Sequence, residues 1–237
     1  MKALVLGASG ATGKLVVQQL IKKNIKVRAV ARESAIVTSK ISDDNSIEII
    51  RGSINEFEIT QIKELVYDCD FVICCLGHNI NLKGIFGPPH KLVYNTVVKI
   101  IEALESQNQN SKFILMSTTA YTNKKIREVN TIGEKLVFSL LYFPLPPHRD
   151  NMLSANHLVY KINSKNKIDW VAVRPDSLFD EEKKSEYVIH NNKVRSPIFN
   201  SGKTSRINVS HFIVELVTND KMWQEWKNKT PVIYNKE

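Results

Sequence analysis

Cysteine is scarce: Cys69, Cys74 and Cys75 are too few, too clustered and too odd in number to make a disulfide framework. A chain of this kind is expected in a reducing cytoplasm. Long apolar runs are missing as well. The longest internal one, residues 136–144, has about half the length that a bilayer crossing requires. The apolar opening stretch breaks at Gly7, too early for the core of an export signal, so neither a membrane span nor a leader is expected. There is no internal repeat and no low-complexity linker. Acidic residues are in deficit, 24 against 33 Lys plus Arg, which leaves a net charge of +9 and a pI near 9.4. That balance favours anionic ligands. The basic pairs Lys22-Lys23, Lys124-Lys125 and Lys183-Lys184 are short and scattered, so they read as solvated faces and no nucleic-acid partner is expected.

What is present is ordinary globular material. Apolar residues make up 43% and charged residues 24% of 237, which excludes disordered and collagen-like classes. The length predicts one domain, residues 1–237. Residues 2–6 read as a buried strand. Residues 10–23 read as a helix, because Val16, Val17, Leu20 and Ile21 recur at the spacing of one helical face. Lys26 and Arg28 alternate with Ile25, Val27 and Ala29 in a second strand, residues 25–31. The alternation continues with strands at 47–50, 70–76, 112–117 and 168–173, and with helices at 56–66, 91–106, 150–163 and 208–218. Strands separated by helices of this length predict a doubly wound parallel α/β sheet of Rossmann-like type. Residues 118–150 and 176–207 loosen this pattern and are the expected substrate region.

In such sheets ligands bind beyond the carboxyl ends of the strands, so the turns there hold the candidates. Gly7, Ser9, Gly10, Ala11, Thr12 and Gly13 lie between the first strand and the first helix, where a backbone must turn tightly and approach a pyrophosphate. The helix start supplies amide donors and a favourable dipole for phosphate. Arg32 closes the second strand, where an arginine accommodates a 2′-phosphate, with Ser34 and Arg28 as assistants; Glu33 is the acid that would instead select the unphosphorylated cofactor. NADP is the expected cofactor, with NAD the alternative. Cys74-Cys75 has neither metal nor redox spacing, so these are expected to be buried strand residues, and no metal site is expected. Residues 77–89, with Gly84, Gly87, Pro88 and Pro89, form a long connection of the kind that serves as a lid. With Phe138, Leu141, Tyr142 and Phe143 it would make an apolar pocket.

These residues carry a resemblance. Gly7, Gly10 and Gly13, the run from Val27 through Arg32, Cys74-Cys75-Leu76-Gly77, the fifth strand ending at Ser117, Arg174-Pro175, and residues 204–209 are similar to the atypical short-chain dehydrogenase/reductases, the NmrA-like and NAD(P)H-binding-domain proteins. The resemblance implies adenine contacts around Ser53 and Ile54 and a nicotinamide over Leu76, Gly77 and Ser117. Extended members pair a strand-five serine with a Tyr-x-x-x-Lys helix. Counted back from Arg174-Pro175, those two places fall on His148 and Met152, so the dyad is absent.

The remaining candidates near the fifth strand are Ser117, Tyr121 and His148. His148 is the expected proton donor, oriented by Asp150; alternatively Asp150 caps a helix starting at Asn151 while His148 packs on Pro147. The expectation is an NADP-dependent oxidoreductase, a monomer or homodimer, that passes a hydride to a small apolar, flavin-like, quinone or carbonyl acceptor. The alternative is a non-catalytic NADP-binding redox sensor of NmrA-like kind. An epimerase would need an acid/base pair that the sequence does not offer.

Overall fold

A computed structural model describes residues 1–32, 46–78, 81–107, 111–142, 144–162 and 167–236. Glu33, Ser34 and Phe143 lie outside them. The chain begins β1 (Lys2–Leu6), α1 (Ala11–Lys22), β2 (Lys26–Ala31) and β3 (Ile47–Arg51). It continues α2 (Ile59–Val66), β4 (Phe71–Cys74), α3 (Leu82–Phe86), α4 (Leu92–Ser106) and β5 (Ser111–Met116). After a 3-10 turn come α5 (Ile132–Tyr142), α6 (Pro146–Lys161), β6 (Ile168–Pro175), β7 (Ser177–Phe179) and β8 (Tyr187–His190). The last elements are β9 (Lys203–Ser205), α7 (Arg206–Thr218), α8 (Asp220–Trp226) and β10 (Val232–Asn235).

Eight of the described strands form one sheet in the order β3-β2-β1-β4-β5-β6-β10-β8, parallel except for the antiparallel β8 edge. This is a Rossmann-like doubly wound α/β fold. Side-chain alternation in β1 explains its two-sided burial. Leu4 and Leu6 join a core with α2, α4 and α6, whereas Ala3 and Val5 join the opposite core with α1, α7 and α8. Both faces are covered, so β1 reads in the sequence as a continuous apolar run instead of an alternating one. The chain winds outward from β1 to β3, then crosses back to β4 on the other side of β1. The turns after β1 and β4 therefore leave in opposite directions and open a crevice.

Beyond β5 the expectations need correcting. Phe138, Leu141 and Tyr142 are not among the residues that line the main cavity at the strand ends. They belong to α5, where Leu136 and Leu140 face solvent. The following helix starts at Pro146, not Asn151, because proline is suited to a first helical turn. Strands β7 to β10 were not expected from the sequence; each has three or four residues, too few to display a period.

The segment after β5 is anchored by a buried ion pair. Arg174, fully buried on β6, forms a two-pronged contact with Glu128 at 2.7 and 2.9 Å. Arg174 also donates to the carbonyls of Tyr121 and Thr230. Burial by itself would raise the Glu128 carboxyl, but the hydrogen bonds and charge of Arg174, with the amides of Asn123 and Lys193, bring it below its ordinary value. The folded state thus binds this proton more weakly than the unfolded chain does. Its contribution to stability is present above the unfolded pKa and is lost as pH falls through the lower folded one. Glu128→Gln is expected to flatten the acid limb of stability below about pH 4, measured by urea melts across pH. An acid limb of unchanged slope would show that the pair is not the titrating element.

Candidate cofactor cleft

The turn after β1 is built by conformation first. Gly7 sits at φ +77°, in the left-handed region, and a Cβ there would lie 2.7 Å from the Cys75 carbonyl oxygen. A Cβ on Gly13 would collide with the Gly7 carbonyl oxygen, so this glycine lets α1 seat closely on the turn. Gly10, the residue before α1, offers no capping side chain, and the first turn of α1 carries no acid. The helix start therefore presents amide donors and a positive dipole end that no side chain among the described residues claims.

A cavity of about 490 Å³ opens there, of ligand-site size. It runs along the carboxyl ends of four strands. Gly7, Ser9 and Gly10 line it after β1, Arg32 after β2, Ser53 and Ile54 after β3, and Leu76 and Gly77 after β4. Arg28, by contrast, cannot assist at a 2′-phosphate. Its guanidinium contacts Glu48 and the carbonyls of Glu64, Leu65 and Tyr67. Ala11, Thr12 and Gly13 form the first turn of α1 behind the cavity wall, with Thr12 and Gly13 buried. The connection expected as a lid does border the cavity, through Asn81, Gly84, Gly87, Pro88 and Pro89, and it carries α3.

The expected catalytic set is not assembled. Ser117 is buried, and its Oγ has no hydrogen-bond partner among the described residues. Tyr121 is buried with its hydroxyl on Asn156 at 3.1 Å, and burial raises its phenol further above the ordinary value. His148 stacks on the Phe138 ring at 5.4 Å, and burial lowers its pKa, which favours the neutral ring. The expected pairing of His148 with Asp150 does not form, because Asp150 points elsewhere. The three cysteines are buried and free. Burial pushes the Cys69 thiol up to about 11 and the Cys74 thiol up to about 12, which suppresses thiolate chemistry.

Asp150 instead completes a site that the sequence hid. Its fully buried carboxylate accepts from the amides of Val93 and Tyr94, each at 2.8 Å, and from His78 Nε2 at 2.8 Å. The start of α4 has no side-chain cap of its own, so α6 supplies it from outside. His78 lines the cavity beside Gly77, and its Nδ1 meets the Gly84 carbonyl at 3.1 Å. One imidazole thus ties the lid connection to α6. The sequence did contain a signal: residues 88–91, Pro-Pro-His-Lys, offer no Ser, Thr, Asp or Asn to cap a long helix.

A dinucleotide fits this cleft on one structural ground, the helix start on a glycine cradle that opens onto the cavity; Ser117, at the end of β5, is not among the residues lining that cavity. The NAD(P)H-binding family model matches residues 7–220. The chain belongs to the NAD(P)H-binding family. An uncharacterized chloroplastic protein of Arabidopsis thaliana is 31% identical over 117 residues, 49% of this chain and 41% of that protein. The match thus spans under half the length of that relative. Among solved structures, an oxidoreductase from Lactococcus lactis superimposes with a TM-score of 0.71 at 19% identity, covering 100% of this chain and 92% of that one. A wide-type short-chain dehydrogenase/reductase from Veillonella parvula, solved with NADP, gives 0.67 at 13% identity over 99% and 94%. These two solved structures share the fold of this chain. Among the described residues no cluster of His, Cys, Asp or Glu is placed to hold a metal ion.

Proposed function

We propose that this NAD(P)H-binding protein is an NADPH-dependent oxidoreductase acting on a small apolar, flavin-like, quinone or carbonyl acceptor. The observation that carries the reading is the unclaimed start of α1, opening onto a cavity walled by Gly7 and Gly10. Arg32, exposed on the cavity at the end of β2, supports the phosphorylated cofactor. The NADP complex of the Veillonella protein and the oxidoreductase description of the Lactococcus protein agree with it as analogies of fold.

Bound there, the cofactor supplies a hydride. Amides at the start of α1 and the Ser9 hydroxyl hold the pyrophosphate, Arg32 the 2′-phosphate, and Ser53 and Ile54 the adenosine end. The buried Ser117 hydroxyl is available to the ribose or carboxamide of the nicotinamide half. His78 is a positioning residue, since both ring nitrogens are committed, to Gly84 and to Asp150. It holds the lid connection over the nicotinamide end. Flavins and quinones accept hydride with little help from the protein, so the missing Tyr-x-x-x-Lys dyad is compatible with turnover.

The test is a titration with NADPH and NADH, followed by absorbance of the reduced nicotinamide as flavins, quinones and carbonyls are added. Tight NADPH binding with oxidation by one acceptor class is the expected result. Tight binding with no oxidation by any of them would favour a redox sensor, and no binding of either nucleotide would overturn the reading. Arg32→Ala is expected to weaken NADPH by about 10- to 100-fold, the worth of a charged hydrogen bond, and NADH by much less. Equal loss for both nucleotides would remove Arg32 from the 2′-phosphate.

A further inference from the structure

Among the described residues, eight of the fourteen large apolar side chains that remain exposed lie within residues 129–142 and 194–199. Ile132, Leu136 and Leu140, spaced four apart along α5, are 86%, 63% and 65% exposed. Val129 just before α5 is 82% exposed, and Phe199 is 65% exposed. Phe199 belongs to the same surface: its ring lies against Gly133, and Ser196 Oγ bonds Glu134 at 2.6 Å, which fastens residues 196–199 to the start of α5. A contiguous apolar face of this kind on a soluble fold marks an interaction site.

Charge decides what it meets. The described parts of residues 118–150 and 191–200 hold three acids, Glu128, Glu134 and Asp150, and each carboxylate is turned inward. Glu128 binds Arg174, Glu134 binds Ser196 and the Thr131 amide, and Asp150 binds His78. The exposed charges there are Lys124, Lys125, Arg127 and Lys135, all positive. Two copies joined through this face about a two-fold axis would set like charges opposite each other. Lys125 is turned away, its ammonium on the Val159 carbonyl, but Lys135 on α5 itself and Arg127, two residues before Val129, are exposed, and an apolar stripe flanked by such cations fits a bilayer interface carrying anionic headgroups.

We infer that α5, with residues 194–199, docks the protein on an anionic lipid surface, Ile132, Leu136, Leu140 and Phe199 entering the acyl boundary and the basic margin meeting the headgroups. Among the described residues no helix is long and apolar enough to cross a membrane. That observation concerns spanning and leaves a peripheral surface open, and the inference departs from the sequence-based expectation of no membrane partner. The docking does not depend on the redox reading.

The experiment is sedimentation of the full chain with two kinds of vesicle, pure phosphatidylcholine and an equal mixture of phosphatidylcholine and phosphatidylglycerol, alongside light scattering of the protein alone. Binding to the mixed vesicles at least tenfold stronger than to the neutral ones, and weakened by salt, is expected. Leu136→Glu, at an exposed position where folding tolerates it, should abolish binding. Arg127→Gln with Lys135→Gln should lower it by roughly twentyfold, about fivefold for each charge removed. Binding to neither vesicle, equal binding to both, or a dimer that Leu136→Glu splits would overturn the inference.

Discussion

Replacing Asp150 with alanine is expected to cost about 3–5 kcal/mol of folding stability, the range for breaking a buried charged contact by removing one partner. The carboxylate is fully buried and satisfies three donors at once. Its loss strands the Val93 and Tyr94 amides at the start of α4 and leaves His78 unpaired beside the cavity. Alanine offers no acceptor, and the fully buried position admits water poorly. For a chain of this size the loss corresponds to a fall in melting temperature of about 10 °C. Asp150→Asn keeps one acceptor oxygen and should lose about half as much. His78→Phe removes one donor, so its effect should not add to that of Asp150→Ala in a double-mutant cycle. Chemical denaturation of the unaltered chain, the three single variants and the double variant measures all of this. A loss under about 1 kcal/mol for the alanine variant would mean that the three contacts are not made in solution.

The same residue shows where sequence reading stops. Asp150 and His78 are 72 positions apart, and no periodicity connects them. Read locally, Asp150 had two plausible roles, as a partner for nearby His148 or as a cap for its own helix. The structure gives it a third, as cap for a different helix. The β1–α1–β2 unit was legible because its determinants are local: a glycine-rich turn directly after an apolar strand, then apolar residues at helical spacing. Of the cavity wall, the glycine turn and Arg32 followed from the rule that ligands sit at the carboxyl ends of parallel strands, whereas Ser53, Leu76 and Gly77 were implied by the family resemblance. The outward face of α5 was not legible for a different reason. An apolar run normally marks burial, and nothing in the run itself says that Leu136 and Leu140 face outward. Only the packing of α5 on α6, with Phe138 turned toward His148, reveals which face is left over.

Gly7→Ala should have the largest effect on nucleotide binding. At φ +77° an alanine costs about 1–2 kcal/mol from conformation alone, and its methyl would press on the carbonyl of Cys75 at 2.7 Å and the amide of Leu76 at 3.0 Å. Those contacts are backbone on backbone, so no side chain can swing away. The turns after β1 and β4 must separate, and the crevice between them is where the cofactor is proposed to lie. Misplacing such a cradle by an ångström typically costs on the order of 100-fold, so the NADPH dissociation constant should rise by about that factor. Stability should fall by about 1–3 kcal/mol, the usual price of overpacking. Gly77→Ala separates the two effects, because a Cβ there meets no atom within 4 Å yet projects from a residue that lines the cavity. It should leave the melting temperature unchanged while weakening the nucleotide. If Gly7→Ala melts early but binds NADPH as well as the unaltered chain does, the crevice is a structural turn and the cofactor lies elsewhere.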